Sequence, residues 1–145
     1  MGQRLKDFSG GDVLQHTIDM QVATANTRDA ATWRNQSFGL AEFVAKLAHT
    51  VRTQESYDAY ISMPKSDQDQ IKDVGGFVGG LLKGGRRTKA SVANRSIMTL
   101  DADYGDKGIF DAIRRTLGSY AYTIYSTHKH SDEKPRLRLV VYPDR

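Results

Sequence analysis

The chain has no cysteine, one tryptophan and three prolines in 145 residues. Without cysteine there is no disulfide, no iron–sulfur cluster, no thiol nucleophile and no Cys-based zinc finger or ribbon. Nor is there an apolar run approaching the ~20 residues that a transmembrane helix needs. The opening residues, Met1-Gly2-Gln3-Arg4-Leu5-Lys6, lack the apolar centre of a signal peptide, and Lys6 stands where a myristoylation motif calls for Ser or Thr. These absences lead to the expectation of a soluble, cytoplasmic protein with no membrane partner.

Hydrophobic residues make up 39% of the chain and charged residues 26%, enough apolar material for a core and too much for a disordered tail. The length suits one domain. Lys and Arg number 21 against 17 Asp and Glu, a net charge of +4 that permits a polyanionic partner. The charge is uneven. Lys83, Arg86, Arg87, Lys89 and Arg95 follow one another without an acid between them, then Asp101, Asp103 and Asp106 form an acidic knot, and Lys134, Arg136 and Arg138 restore the positive sign. Such alternation suits a site that holds phosphates around a metal. It also suits an ordinary solvated surface.

Residues 1–38 read as a β-rich segment, with Thr, Val and Ile between Gln15 and Ala25 and Trp33 in a short stretch after the Arg28-Asp29 turn. Residues 39–95 read as helices followed by a glycine-rich basic loop. Leu40, Phe43, Val44 and Leu47 recur at helical spacing, which predicts an amphipathic helix from Gly39 to His49. A second helix is expected from Gln54 to Met63 with Thr53 as its cap, and a third opening at Pro64 and running to about Val74. Six glycines fall between Gly75 and Gly85, too many for a regular helix. Gly80 and Gly85 have the gap of a Walker A loop, yet Arg86-Arg87 stand where Lys-Ser/Thr is required and no strand is evident before them. The stretch reads instead as a mobile or hairpin loop presenting Lys83, Arg86 and Arg87 to phosphates, with a purely structural turn as the alternative.

Residues 96–145 carry the motifs. Ser96 to Asp103 reads as a strand. Ile109, Phe110, Ile113 and Leu117 mark a helix from Asp106 to Leu117 that Gly118 stops. Tyr120 to His128 and Arg136 to Tyr142 read as two more strands joined by a polar loop. The order β-α-β-β opens a ferredoxin-like or RNA-recognition-type sheet. The expected class is therefore α+β, an incomplete sheet of that type with an N-terminal αβ extension.

Residues two apart on a strand share a face, so Asp101 and Asp103 project together with origins roughly 7 Å apart. Carboxylates so close repel unless a cation lies between them, and hard oxygen donors suit Mg²⁺ or Mn²⁺. The preceding Ile97-Met98-Thr99-Leu100 is apolar enough to be buried, so the acids emerge from the core. Acids at a strand end satisfied by turn amides are the plainer reading. Ser126 and His128 are same-face neighbours suited to phosphate oxygens, and a β-α-β crossover brings His128 toward the aspartates. His128 and His130 are a poor metal pair, with Lys129 between them and no third histidine or cysteine nearby. Arg136, Arg138, Val140 and Tyr142 share a face, with Leu137, Leu139 and Val141 toward the core. Arginines at i and i+2 suit bidentate phosphate contacts.

Leu100-Asp101-Ala102-Asp103, Tyr125-Ser126-Thr127-His128 and Lys134-Pro135-Arg136-Leu137-Arg138-Leu139-Val140 together resemble the archaeo-eukaryotic primase superfamily, in particular the primase-polymerase domains of phage and plasmid replication proteins. That family has hydrophobic-Asp-x-Asp/Glu, then Ser-x-His, then a third acidic residue on a later strand. Asp101 and Asp103 match the first motif, Ser126 and His128 the second, and the likeness spans about residues 40–145. The segment from Asp73 to Gly80 also looks like the stretch that precedes the first motif in phage members.

The resemblance implies nucleotidyl transfer in which Asp101 and Asp103 hold divalent Mg or Mn. His128, helped by Ser126, would bind the triphosphate. Arg136 and Arg138, with Lys83, Arg86 and Arg87, would neutralise phosphates of nucleotide or template. The implied partners are nucleic acid (DNA first), nucleotides, and a helicase domain or other replication protein. One departure stands out: no third acid follows the last strand, since Asp144 is at the terminus. The chain thus reads either as the N-terminal part of a larger primase-polymerase, or as a catalytically silent primase-derived phage protein. The silent form would bind nucleic acid or inhibit a host nucleic-acid or defence complex. A third account is another metal-dependent nucleic-acid enzyme on a related fold; a rolling-circle nickase is one candidate, but Lys129 breaks the His-hydrophobic-His it needs.

Overall fold

A computed structural model describes residues 19–143; Asp144 and the part of the first expected strand before Asp19 lie outside that range. The fold is α+β. β1 (Met20–Ala25) runs antiparallel between β2 (Arg34–Phe38) and β3 (Gly76–Val78) in one sheet. In the other sheet β6 (Leu137–Tyr142) runs antiparallel between β4 (Met98–Ala102) and β5 (Ala121–Ser126). Four helices connect these strands: α1 (Leu40–Ala48), α2 (Tyr57–Ser62), α3 (Lys65–Ile71) and α4 (Ile109–Thr116). None of the described helices is long and apolar enough to cross a membrane.

The first helix forms where the spacing of Leu40, Phe43, Val44 and Leu47 requires it, with Phe43 fully buried and the others half-buried. The second starts three residues later than expected. Ser56, not Thr53, caps it by accepting a hydrogen bond from the Ala59 amide at 3.3 Å. Pro64 does open the third, which ends at Ile71.

The two sheets share a core. Met20 and Val22 of β1, Phe43, Ile97, and Val140 and Tyr142 of β6 form one buried cluster. Phe43 holds it together: its ring meets Phe38, Phe77 and Tyr142 at centroid distances of 6.0, 5.2 and 6.5 Å, the last two edge-on. The other face of β1 packs Ala23 on Trp33 and Leu82. Both central strands are thus covered on both faces, and Val140 and Tyr142 are as buried as Leu137, Leu139 and Val141. The simple alternation expected for the last strand, with one face in the core and one in water, therefore fails at its C-terminal half.

β4 differs from expectation in the opposite sense. Ile97 is buried, but Met98 and Leu100 are half-exposed, because among the described residues β4 is an edge strand with a neighbour on one side only. β4 and β5 run parallel, joined through α4, with β6 inserted between them. That is a split β-α-β arrangement, the order expected of a ferredoxin-like sheet.

The glycine-rich stretch is built into the fold. β3 lies within it, so a strand does precede Lys83. Gly79 and Gly80 are buried against residues 94–97, where a side chain on Gly80 would collide with the Asn94 carbonyl. The tight approach lets the Ser96 amide reach the Gly79 carbonyl at 3.0 Å.

Because Phe43 bridges both sheets, Phe43→Ala is expected to cost about 3–5 kcal/mol. It should lower one shared thermal transition, followed by circular dichroism and calorimetry, without splitting it in two.

Candidate functional site

Directly opposite residues of an antiparallel ladder share a face. Asp101 pairs with Arg138, which pairs with Tyr125, so these three side chains form one row across the sheet. Arg138 grips both oxygens of Asp101: Nε donates to Oδ1 at 2.6 Å and Nη2 to Oδ2 at 3.1 Å. One step further out, past the strand ends, Arg136 Nη1 lies 3.2 Å from Asp103 Oδ1. The Arg136 guanidinium also sits 5.7 Å from the ring centroid of Tyr104, which is 97% exposed. The hydrogen bond to Asp101 pushes the Arg138 pKa up, against the opposing effect of its partial burial. Arginines, then, are the cations that relieve the aspartate repulsion here.

The geometry follows from β6 leaving the core. Tyr142 and Val140 are sealed under Phe43, while Arg138 and Arg136 continue the same face toward solvent. The aspartate side chains retain 49% and 53% of their exposure. Among the described residues the site is an open surface of paired charge.

Ser126 stands on the other face. Its ladder partner is Leu137, which also pairs with Ala102, so the row of Ser126 is not the row of the aspartates. His128 lies past the end of β5 in a turn closed by the His130 amide donating to the Thr127 carbonyl at 3.0 Å. There its ring meets the buried ring of Tyr60 edge-on at 4.3 Å. His130 Nδ1 accepts the Arg136 amide at 3.2 Å, so this histidine positions the start of β6. Lys83, Arg86 and Arg87 are exposed on a separate loop. The structure therefore brings together Asp101, Asp103, Arg136 and Arg138, and leaves Ser126 and the basic loop elsewhere.

A model of the VapE N-terminal domain matches residues 6–145. The chain belongs to the VapE N-terminal domain family. No curated protein and no solved structure matches it. This family is associated with the replication of phages and other mobile elements, in keeping with the phage and plasmid character read from the motifs.

Within this VapE N-terminal domain, motif reading gave no role to Tyr104 or Tyr125 and weighed His130 only as a metal ligand. Tyr104 adjoins the acidic motif, and an exposed aromatic next to two aspartates was a visible signal. Tyr125 could be found only by knowing the register, and His130 only by knowing the turn. A shallow depression of about 290 Å³ lies among Arg28, Ser66, Asp69 and Asp73. Asp69 is there saturated by Lys65, Lys72 and Arg28, and hydrogen bonds from the two lysines hold its carboxyl well below the usual range. Asp73 accepts the Arg28 amide at 2.8 Å, so the depression clasps the β1–β2 turn to α3.

Burial pushes the Tyr60 phenol above its ordinary 10.0. A raised folded-state value means that its contribution is complete below pH 10 and is lost as pH rises past the folded value. Tyrosinate absorbance should show a late-ionising phenol that Tyr60→Phe removes, together with the loss of stability that follows it.

Proposed function

We propose that this domain serves a phage or mobile-element replication protein as a primase-polymerase-like nucleotidyltransferase, binding a nucleoside triphosphate on the open face between β4 and β6 beside a nucleic-acid template. The observation that carries the reading is the double guanidinium–carboxylate pairing of Arg138 with Asp101 and Arg136 with Asp103. Two exposed carboxylates on one face offer the hard oxygens a divalent ion prefers, so the donor set fits Mg²⁺ or Mn²⁺ in kind. Asp101 and Asp103 would hold it, and it would supply charge neutralisation at the phosphates and a more acidic attacking hydroxyl.

The guanidiniums determine when the carboxylates are free. A bare divalent ion meets two acids already neutralised by two arginines. A triphosphate changes that balance, because it offers Arg136 and Arg138 a bidentate partner of higher charge than a carboxylate. The arginines bind and orient the phosphates, and Asp101 and Asp103 are released to their second role. Tyr104 stays beside Arg136 as a flat, exposed surface on which a base can stack. The primase likeness adds Ser126 and His128 to the triphosphate site, and Lys83, Arg86 and Arg87 to the template.

A second reading is favoured by the completeness of the Asp101–Arg138 pair, which leaves neither carboxylate oxygen without a partner. In it the pairs are permanent, and the domain is a silent binding module for nucleic acid, a helicase domain or a host complex. Mn²⁺ titration monitored by electron paramagnetic resonance separates the two. On the first reading Mn²⁺ binds weakly alone and at least about tenfold (~1.4 kcal/mol) more tightly with a nucleoside triphosphate. Asp101→Asn/Asp103→Asn, folded by circular dichroism, should lose that gain together with any template-directed extension. A gain of zero, with the fold intact, selects the silent module.

A further inference from the structure

We infer that the segment from Leu82 to Val92, with Arg95 beside it, is a preformed reader of a nucleic-acid phosphate backbone. In it Lys83, Arg86, Lys89 and Arg95 make the contacts, while Arg87 holds the loop in shape. The inference deepens the nucleic-acid part of the proposed function and rests on that reading for the identity of the polyanion.

The loop is tied at its base. Leu82 and Val92 form an antiparallel bridge, and the Ala93 amide donates to the Leu81 carbonyl at 2.8 Å. Asn35 grips Leu82 from the other side: its Oδ1 accepts the Leu82 amide at 2.9 Å, and its Nδ2 donates to the Leu82 carbonyl at 3.0 Å. Asn94 Oδ1 accepts the Leu81 amide at 2.9 Å. The tip is tied as well. The Trp33 amide donates to the Gly85 carbonyl at 2.7 Å, and the Thr88 and Ser91 hydroxyls share a hydrogen bond at 2.6 Å. Gly85 has φ +64, and a Cβ there would lie 2.9 Å from the Trp33 carbonyl, so glycine is required at this contact.

On this fixed frame the cations are not alike. Arg87 lies over the Trp33 ring at 5.1 Å and donates to the Arg28 carbonyl at 3.4 Å. It is committed to the fold. Lys83, Arg86, Lys89 and Arg95 are exposed and have no carboxylate partner among the described residues. Arg28, Lys65, Lys72, Arg136 and Arg138 each have one; other exposed cations such as Arg114 and Arg115 also lack one, but they are not part of this acid-free, tied-down loop. Holding like charges together in an ordered, acid-free loop works against folding by self-repulsion, and a chain of phosphates reverses the sign of that term. Because hydrogen bonds within the loop and from Trp33 and Asn35 already order it, binding does not have to. The ligand chemistry is a phosphodiester backbone, from either DNA or RNA.

The test is the salt dependence of binding to fluorescent single-stranded oligodeoxynucleotides and oligoribonucleotides of one sequence, and to the DNA duplex. Four phosphate contacts predict a log–log slope of about −3 on single strands and about −3.6 on duplex. Lys83→Ala, Arg86→Ala, Lys89→Ala and Arg95→Ala should each reduce the slope by about 0.7–0.9 with the thermal midpoint unchanged. Arg87→Ala should lower the midpoint and, assayed where it is still folded, keep the slope. A slope unmoved when Lys83, Arg86, Lys89 and Arg95 are all replaced by Ala in one chain overturns the inference. So does an Arg87→Ala variant that loses slope at full stability, or a polyglutamate peptide that binds as well as the oligonucleotides. Asp101→Asn/Asp103→Asn should keep at least the full slope, since it removes no cation and frees Arg136 and Arg138. If it does while wild type shows no triphosphate-dependent Mn²⁺ binding, the loop assignment stands and the nucleotidyl-transfer reading falls.

Discussion

The burial of Phe43 is the constraint on which the rest of the molecule depends. Its ring is fully enclosed, and the aromatic rings around it come from β2, β3 and β6. One residue of a short helix therefore joins two sheets that share no ladder hydrogen bonds. The consequence for function is directional. β6 enters the core at Tyr142 and leaves it toward Arg136, so a single strand face is hydrophobic at one end and a charged site at the other.

Electrostatics divides the surface in the same way. Around β4 and β6 every cation of the site has a carboxylate partner, and around Asp69 one carboxylate draws three cations. Exposed pairs of this kind add little stability, on the order of 0–1 kcal/mol each. Their effect is on which ligands the surface accepts. On the proposed function, a neutral lattice of arginine and aspartate would discriminate against a bare metal ion and favour a polyanion that takes over the guanidiniums. In the basic loop, Lys83, Arg86 and Lys89 have no carboxylate partner among the described residues, so no such exchange would be needed there. The proposed function and the loop inference would together give the domain two anion sites of different character, one for nucleotide phosphates and one for a backbone.

Much of the fold was legible because local signals and tertiary structure agreed. The spacing of Leu40, Phe43, Val44 and Leu47 marks α1, Pro64 marks the start of α3, and the β-α-β-β order of the last third appears as read. Errors arose where neighbours decide. The apolar Met98 and Leu100 looked interior, yet β4 is an edge and they are half-exposed. Gly79 and Gly80 looked like the flexible part of a loop, yet they are small because the backbone of residues 94–97 passes against them.

The candidate site separates along the same line. Period-two alternation on single strands was enough to put Asp101 beside Asp103 and Arg136 beside Arg138, and composition alone marked the acid-free basic loop. Register between strands is invisible in one sequence. It requires knowing which residue of β6 faces which residue of β4 and β5. Only the tertiary structure joined Arg138 to Asp101, set Ser126 on the opposite face, and turned His128 against Tyr60. It alone separated Arg87, stacked on Trp33, from its neighbours Lys83 and Arg86. The absence of cysteine and the placement of charge were settled by the amino acids themselves. Which charges neutralise one another, and which meet no carboxylate among the described residues, depends on distances between segments as much as 41 residues apart, as for Arg28 and Asp69, and those distances exist only once the core has closed.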